Sequence, residues 1–225
     1  MSNEDRDRFL YKYPNSDVLR NKLGLIDGKA LADAEIYLVS QRVRQGVPTG
    51  DFGLSHLQGI HKHLFQDVYD WAGQIRQVEF SKGDSGFHPK DRIEMAMADV
   101  QKRLASQQFL RGLSREDFAK EAAEFIGDVN RTHPFREGNG RTQFQYLKQL
   151  GKQAGHNIDL SRFEQKSWIQ ASIDANRFKS DRMAQCIEQS IADRSRETQS
   201  KQKSYVEEQR ERAKRARNKH NDRSR

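Results

Sequence analysis

The chain has one cysteine, four prolines and few apolar residues, which make up 34% of its 225 positions. The single Cys186 excludes a disulfide framework and any zinc site built on paired thiolates. No run approaches the ~18 consecutive apolar residues of a membrane-spanning helix. The first residues, MSNEDRDRFLYKY, lack the apolar segment that directs secretion. These absences point to a cytoplasmic protein with no membrane partner. The scarcity of proline and the lack of internal repeats argue against a second globular domain. With a mean hydropathy of −1.00, a core is possible only if part of the polarity is set apart from it.

Charge is set apart in the same way. The formal net charge is +8, and the stretch from Arg194 to Arg225 holds twelve Lys and Arg against five Asp and Glu, which leaves +1 for everything before it. Basicity is therefore a property of the tail. Its apolar content is reduced to Tyr205, Val206, Ala213 and Ala216, too little to offset the entropy of ordering. With one aromatic available for base stacking, the tail does not read as a nucleic-acid arm. Residues 194–225 are expected to form a solvated or helical tail.

The body reads as all-α. Between Asp27 and Gln45 the residues Ala30, Ala34, Leu38 and Val43 recur at helical spacing, and Leu57, Ile60, Leu64, Phe65 and Val68 do the same after Leu54. A helix beginning near Pro89 carries Ile93, Met97, Val100 and Leu104 on one stripe. Ser114 is placed as an N-cap for a helix bearing Phe118, Ala122, Phe125 and Val129. Further helices are expected from Gly140 to Ala154, from Phe163 to Ala175 and from Asp181 onward. Gln77 to Phe80 alternates polar and apolar, and the turn-rich Ser81 to Gly86 follows, which predicts a short hairpin supported by a neighbouring helix. Trp71 and Trp168 are expected to be core anchors and Cys186 a small buried group. His61 and His63, two apart on a helix, point to different faces and do not suggest a metal pair.

The chemistry concentrates in His133-Pro134-Phe135-Arg136-Glu137-Gly138-Asn139-Gly140-Arg141. Gly138 and Gly140 permit tight backbone geometry at the start of a helix, where unpaired N–H groups and the helix dipole favour an anion. Arg141 adds a permanent charge beside that anion. Glu137 offers a hard oxygen of the kind Mg²⁺ takes when substrate phosphates complete its shell. His133 can remove a proton near neutral pH. Within nine residues the chain assembles a phosphate-handling loop, a base and a metal ligand.

This segment resembles the motif of the Fic family, H-x-F-x-[D/E]-G-N-G-R-x-x-R, through His133, Phe135, Glu137, Gly138, Asn139, Gly140 and Arg141. The likeness extends to Tyr13-Pro14-Asn15, to Leu19 through Leu23, to Asp70-Trp71-Ala72-Gly73 and to Lys82-Gly83 through Phe87. It implies a Fic domain over residues 11–193, preceded by an extension at 1–10, folded as a helical bundle with a small β-hairpin flap. It further implies transfer of AMP from Mg-ATP to a hydroxyl side chain of a target protein. His133 would be the general base and Glu137 the Mg²⁺ ligand. Gly138, Asn139, Gly140 and Arg141 would bind the nucleotide phosphates, and Phe135 would anchor the loop. Lys82, Gly83, Asp84, Ser85, Gly86 and Phe87 would form the edge that docks the target's backbone. The resemblance is to the toxin branch restrained by a small antitoxin that supplies an inhibitory helix, with the B subunits of DNA gyrase or topoisomerase IV as targets. A host-directed effector and a non-catalytic binding module are the alternatives. At the motif's second arginine the chain has Phe144, which implies weaker orientation of ATP and weaker glutamate-based inhibition, unless Phe144 is a core residue on a stripe with Leu147 and Gly151.

Overall fold

The computed structural model describes residues 1–82 and 85–192. In chain order the helices are α1 (Asn3–Tyr11), α2 (Gly28–Arg44), α3 (Leu54–Phe65), α4 (Ile93–Ser106), α5 (Arg115–Thr132), α6 (Asn139–Ala154), α7 (Gln165–Ala175) and α8 (Asp181–Ser190). Two short strands, β1 (Ser81–Lys82) and β2 (Ser85–Gly86), pair antiparallel between α3 and α4. The class is all-α, and residues 1–190 form one compact unit. Gly83 and Asp84 of the expected flap, and residues 193–225 with the whole expected tail, lie outside the described residues.

The fold is organised around α5. Ser114 accepts the Asp117 N–H with its hydroxyl and starts the helix as the sequence indicates. Phe118, Ala122, Phe125, Ile126 and Val129 are almost wholly removed from solvent. Each of the larger ones is worth about 1.5–3 kcal/mol of apolar burial. Helices α4, α6, α7 and α8 pack around it, and α4 buries the four residues of its expected stripe. The end of α5 is therefore fixed on several sides, and that end carries the motif.

Two expectations shift. In α2 the buried stripe is Leu31, Glu35 and Val39, one position along from Ala30, Ala34 and Leu38, because the helix turns an acidic residue inward. Cys186 is half-buried rather than fully enclosed. Residues 3–10, within the expected extension, form α1 together with Tyr11, with Ser2 and Asp5 in a reciprocal capping box.

Candidate functional site

Helix α5 ends by placing His133 in the left-handed region (φ 45, ψ 60) while its N–H still closes onto Val129 O at 3.1 Å. For a residue with a side chain this conformation costs about 1–2 kcal/mol, so something must hold it. The guanidinium of Arg76, only 1% exposed, does so. Its Nε donates to His133 O at 2.8 Å, Nη1 donates to Val78 O at 2.6 Å, and Nη2 donates to His88 O. The Arg76 N–H adds a bond to Pro134 O at 2.8 Å. One buried cation thus joins the motif loop to both ends of the hairpin. Sequence reasoning missed it, since an isolated arginine in Gln74-Ile75-Arg76 gives no signal of burial.

The imidazole of His133 lies against the hairpin. Phe87 stacks on it at a centroid distance of 3.7 Å, and Phe80 lies parallel to it at 5.8 Å. The hairpin and the His133 ring are thus one packed assembly, although β1 and β2 contribute only the pairs Ser81–Gly86 and Lys82–Ser85.

Gly138 turns the loop into α6 with φ +82, and a Cβ at this position would stand 2.4 Å from the Phe65 ring. Both the backbone angle and the close approach demand glycine. Gly140 has open space around it; a bare backbone there leaves room beside the helix start. The first intrahelical bond is Thr142 N–H to Gly138 O at 3.1 Å, so the N–H groups of Asn139, Gly140 and Arg141 precede it and make an anion-favouring end. The Asn139 side chain departs from its expected role. It is buried, with Oδ1 accepting from Phe135 N at 3.0 Å and Nδ2 donating to Phe135 O at 2.7 Å. Both ends of its amide are committed to stapling the loop, which leaves its backbone N–H as its link to an anion.

Glu137 is exposed, and its Oε1 accepts from Gly138 N at 2.8 Å. Its carbonyl is held from below by His61. Nδ1 of that ring accepts the Gly73 N–H at 2.8 Å, so the proton sits on Nε2 and is donated to Glu137 O at 2.9 Å. Stacked between Phe135 at 3.9 Å and Phe65 at 4.7 Å, His61 is fully buried, and burial pulls its pKa down to about 4. It is a neutral strut at ordinary pH. His63 instead meets Arg42 O, so the two histidines have separate structural partners. Among the described residues no group of three acidic, histidine or cysteine side chains could enclose a metal. A single accessible carboxylate beside a phosphate-binding helix end fits Mg²⁺ completed by substrate oxygens and water.

Arg141 is oriented by Glu35 of α2 at 2.5 Å, with Glu137 at 3.5 Å and the Phe65 ring beneath it at 4.7 Å. Glu35 is buried, whereas Arg141 is about one-third exposed. The pair pins the inner side of the guanidinium and offers its outer side to the site. Burial and the adjacent Glu35 carboxylate push the Tyr69 pKa up, keeping that hydroxyl un-ionised. The link between Glu35 and Arg141 spans more than a hundred residues, and no sequence spacing announces it.

Two cavities flank the start of α6. One of about 400 Å³ is lined by Phe87, His133, Gly140, Gln143, Trp168 and Ile169, among others. The second, about 350 Å³, is lined by Glu137, Arg141, Phe144 and Phe163, and shares Gly140, Trp168 and Ile169 with the first. Buried Gln143 carries an Nε2 without a hydrogen-bond partner. Phe144 is half-buried, its ring against Phe163 at 5.0 Å and Trp168 at 4.9 Å. It is both a packing residue and a wall of the second cavity. Trp168 is buried as expected, yet also lines both cavities.

The Fic/DOC family model matches residues 51–150. A probable protein adenylyltransferase of Sinorhizobium fredii is 40% identical over 162 residues, covering 72% of this chain and 84% of that protein. The chain belongs to the Fic/DOC family. The protein adenylyltransferase VbhT of Bartonella schoenbuchensis is 37% identical over 81% of this chain, but the match spans only 39% of that longer protein. Among solved Fic structures, BepC of Bartonella tribocorum with bound AMPPNP is 28% identical with a TM-score of 0.74, covering 81% of this chain and 96% of that one. The Fic domain of a VirB-translocated effector of Bartonella quintana with bound ADP is 31% identical with a TM-score of 0.72, covering 81% and 94%. The Fic motif thus has both its expected setting at the α5–α6 junction and relatives that hold adenine nucleotides.

Proposed function

We propose that this Fic protein is a protein adenylyltransferase that moves AMP from ATP to a hydroxyl side chain of a target protein. The observation that carries the reading is that His133 and Gly140, a base and the anion-binding end of α6, open onto one cavity. The target hydroxyl oxygen attacks the α-phosphorus, the bond from that phosphorus to the bridging oxygen of the β-phosphate breaks, and pyrophosphate leaves. His133 takes the hydroxyl proton. The α6 N–H groups and Arg141 stabilise charge on the phosphates. Glu137 would hold Mg²⁺, which supplies further neutralisation of the phosphate charge. The cavity walled by Trp168 and Ile169, with the Gln143 amide inside it, suits the nucleoside.

The hairpin, with Phe87 against His133, serves as the docking edge, since an exposed strand can add a target segment through its main chain. A type II topoisomerase B subunit as target and a small antitoxin as restraint rest on the family resemblance. Among the described residues no helix is long and apolar enough to cross a membrane. The test is incubation of the full chain with Mg²⁺ and bacterial lysate, using ATP labelled at either the α- or the γ-phosphate. Protein-bound label from the α position alone supports nucleotidyl transfer; label from the γ position means phosphoryl transfer and refutes it. Mass spectrometry of the labelled band names the target.

A further inference from the structure

Helix α1 is not a core element. Only Tyr11 on it is buried, and an isolated helix of nine residues is marginal in water. What it has is one face, Asn3, Asp7 and Tyr11 at i, i+4 and i+8, and each of these residues reaches the hairpin stem or the catalytic loop. The Asn3 carboxamide pairs with the backbone of Glu79 in both directions: Nδ2 donates to Glu79 O at 2.9 Å, and Glu79 N donates to Oδ1 at 2.7 Å. The carboxylate of Asp7 accepts two bonds from Arg136, at 2.5 and 2.9 Å, with side chains only 15% and 11% exposed. The Tyr11 hydroxyl accepts from Gln77 N at 3.0 Å.

The position of Glu79 gives these contacts a meaning. Phe87 N–H bonds to Phe80 O, and the ladder continues with Ser81 opposite Gly86 and Lys82 opposite Ser85. In an antiparallel ladder the residues that exchange bonds alternate with residues that turn their N–H and C=O away. With Phe80 facing Phe87, the groups of Glu79 and Ser81 face the outer edge. Asn3 occupies this edge at Glu79 and stands there as one residue's worth of a third strand.

We infer that α1 is a register stop for the docking edge: Asn3 closes the edge at Glu79, and Asp7 fixes that stop to the catalytic loop through Arg136. The inference rests on reading the hairpin as the target-docking edge. A target strand is then added from Ser81 onward, with its hydroxyl brought to His133. The stop matters because a one-residue slip turns every target side chain to the other face. A two-residue slip restores the face but carries the hydroxyl about 6.6 Å along the strand, out of reach of the base. Asn3, Asp7 and Tyr11 are positioning residues; none touches the reacting atoms.

The test compares the full chain with Asn3→Ala and Asp7→Asn, and with Glu4→Gln as a control on the same helix, where Glu4 meets Arg8 alone among the described residues and is 77% exposed. Three quantities are measured: exchange of the Glu79 amide by NMR, the initial rate of α-label transfer into lysate protein as lysate concentration is varied, and the affinity for Mg-AMPPNP. The expected result is faster Glu79 exchange in Asn3→Ala, a fall of roughly tenfold or more in transfer for both variants, AMPPNP affinity within about twofold of the parent, and a control that matches the parent. Unchanged Glu79 exchange in Asn3→Ala, undiminished transfer with that amide freed, or a loss of AMPPNP affinity in step with transfer overturns the inference. If the parent chain transfers no label, the adenylyltransferase reading fails by itself; the stop then stands or falls on the exchange measurement.

Discussion

Replacing Phe144 by arginine tests what the departure from the Fic motif does. Position 144 follows Arg141 by three residues, on the same side of α6, and its side chain walls the cavity that also holds Glu137 and Arg141. The substitution removes ring contacts with Phe163 at 5.0 Å and Trp168 at 4.9 Å, a loss of about 1–2 kcal/mol, partly offset by the arginine stem lying on the same aromatic wall. For a chain of this length that corresponds to a fall in Tm of roughly 2–8 °C. In return the guanidinium can donate to the terminal phosphate, and a hydrogen bond to a charged group is worth about 1.5–3 kcal/mol, or roughly 10–150-fold in affinity. ADP lacks that phosphate, so the informative quantity is the ratio of the Kd for ADP to the Kd for AMPPNP, measured by calorimetric titration with Mg²⁺. The parent ratio is expected near one, rising at least about tenfold in Phe144→Arg. A ratio that stays at the parent value in a folded variant would refute the assignment of this wall to the terminal phosphate.

Gly138→Ala combines a left-handed backbone penalty with a Cβ driven into Phe65, for a cost of about 2–5 kcal/mol in urea unfolding; in a Phe65→Ala background only the backbone part, about 1–2 kcal/mol, should remain. Glu35→Gln leaves the shape of α2 intact but removes the charge that orients Arg141, so AMPPNP binding should weaken roughly three- to tenfold; calorimetry that finds no change shows that Glu137 alone orients the guanidinium. His61 adds a pH signature. Because its folded pKa of about 4 lies below the unfolded value of 6.5, the unfolded state binds more protons between those values, and stability falls as pH drops through that window, by about 3 kcal/mol from this group. Unfolding free energies of His61→Asn should lack that component of the slope between pH 6.5 and 4.

The helices were legible wherever apolar residues recur with a helical period, and most clearly where a capping residue precedes them, as with Ser114 before α5. The motif loop was legible because glycines, a cation, a carboxylate and a histidine in nine residues have few other uses. Contacts made across the chain by polar side chains were not legible. Periodicity counts apolar groups, so Glu35 at the centre of the buried face of α2 moved the apparent stripe by one residue. Buried Arg76 looks like any surface cation until the three carbonyls around it are seen. Helix α1, charged on most positions, offers no apolar stripe; its face of Asn3, Asp7 and Tyr11 acquires meaning only from the hairpin and Arg136 opposite. Asn139 lay inside the recognised motif, but its commitment to the Phe135 backbone depends on how the loop closes.

The most direct test of the account is the rate of α-label transfer by His133→Ala, set against its affinity for Mg-AMPPNP and its thermal stability. The account places His133 at the proton and leaves the phosphates to α6 and Arg141. Transfer should therefore fall by at least about a hundredfold while nucleotide affinity stays close to the parent value and the lost ring contacts with Phe87 and Phe80 lower Tm by only about 2–8 °C. Transfer at the parent rate in a folded, nucleotide-binding His133→Ala protein would contradict it.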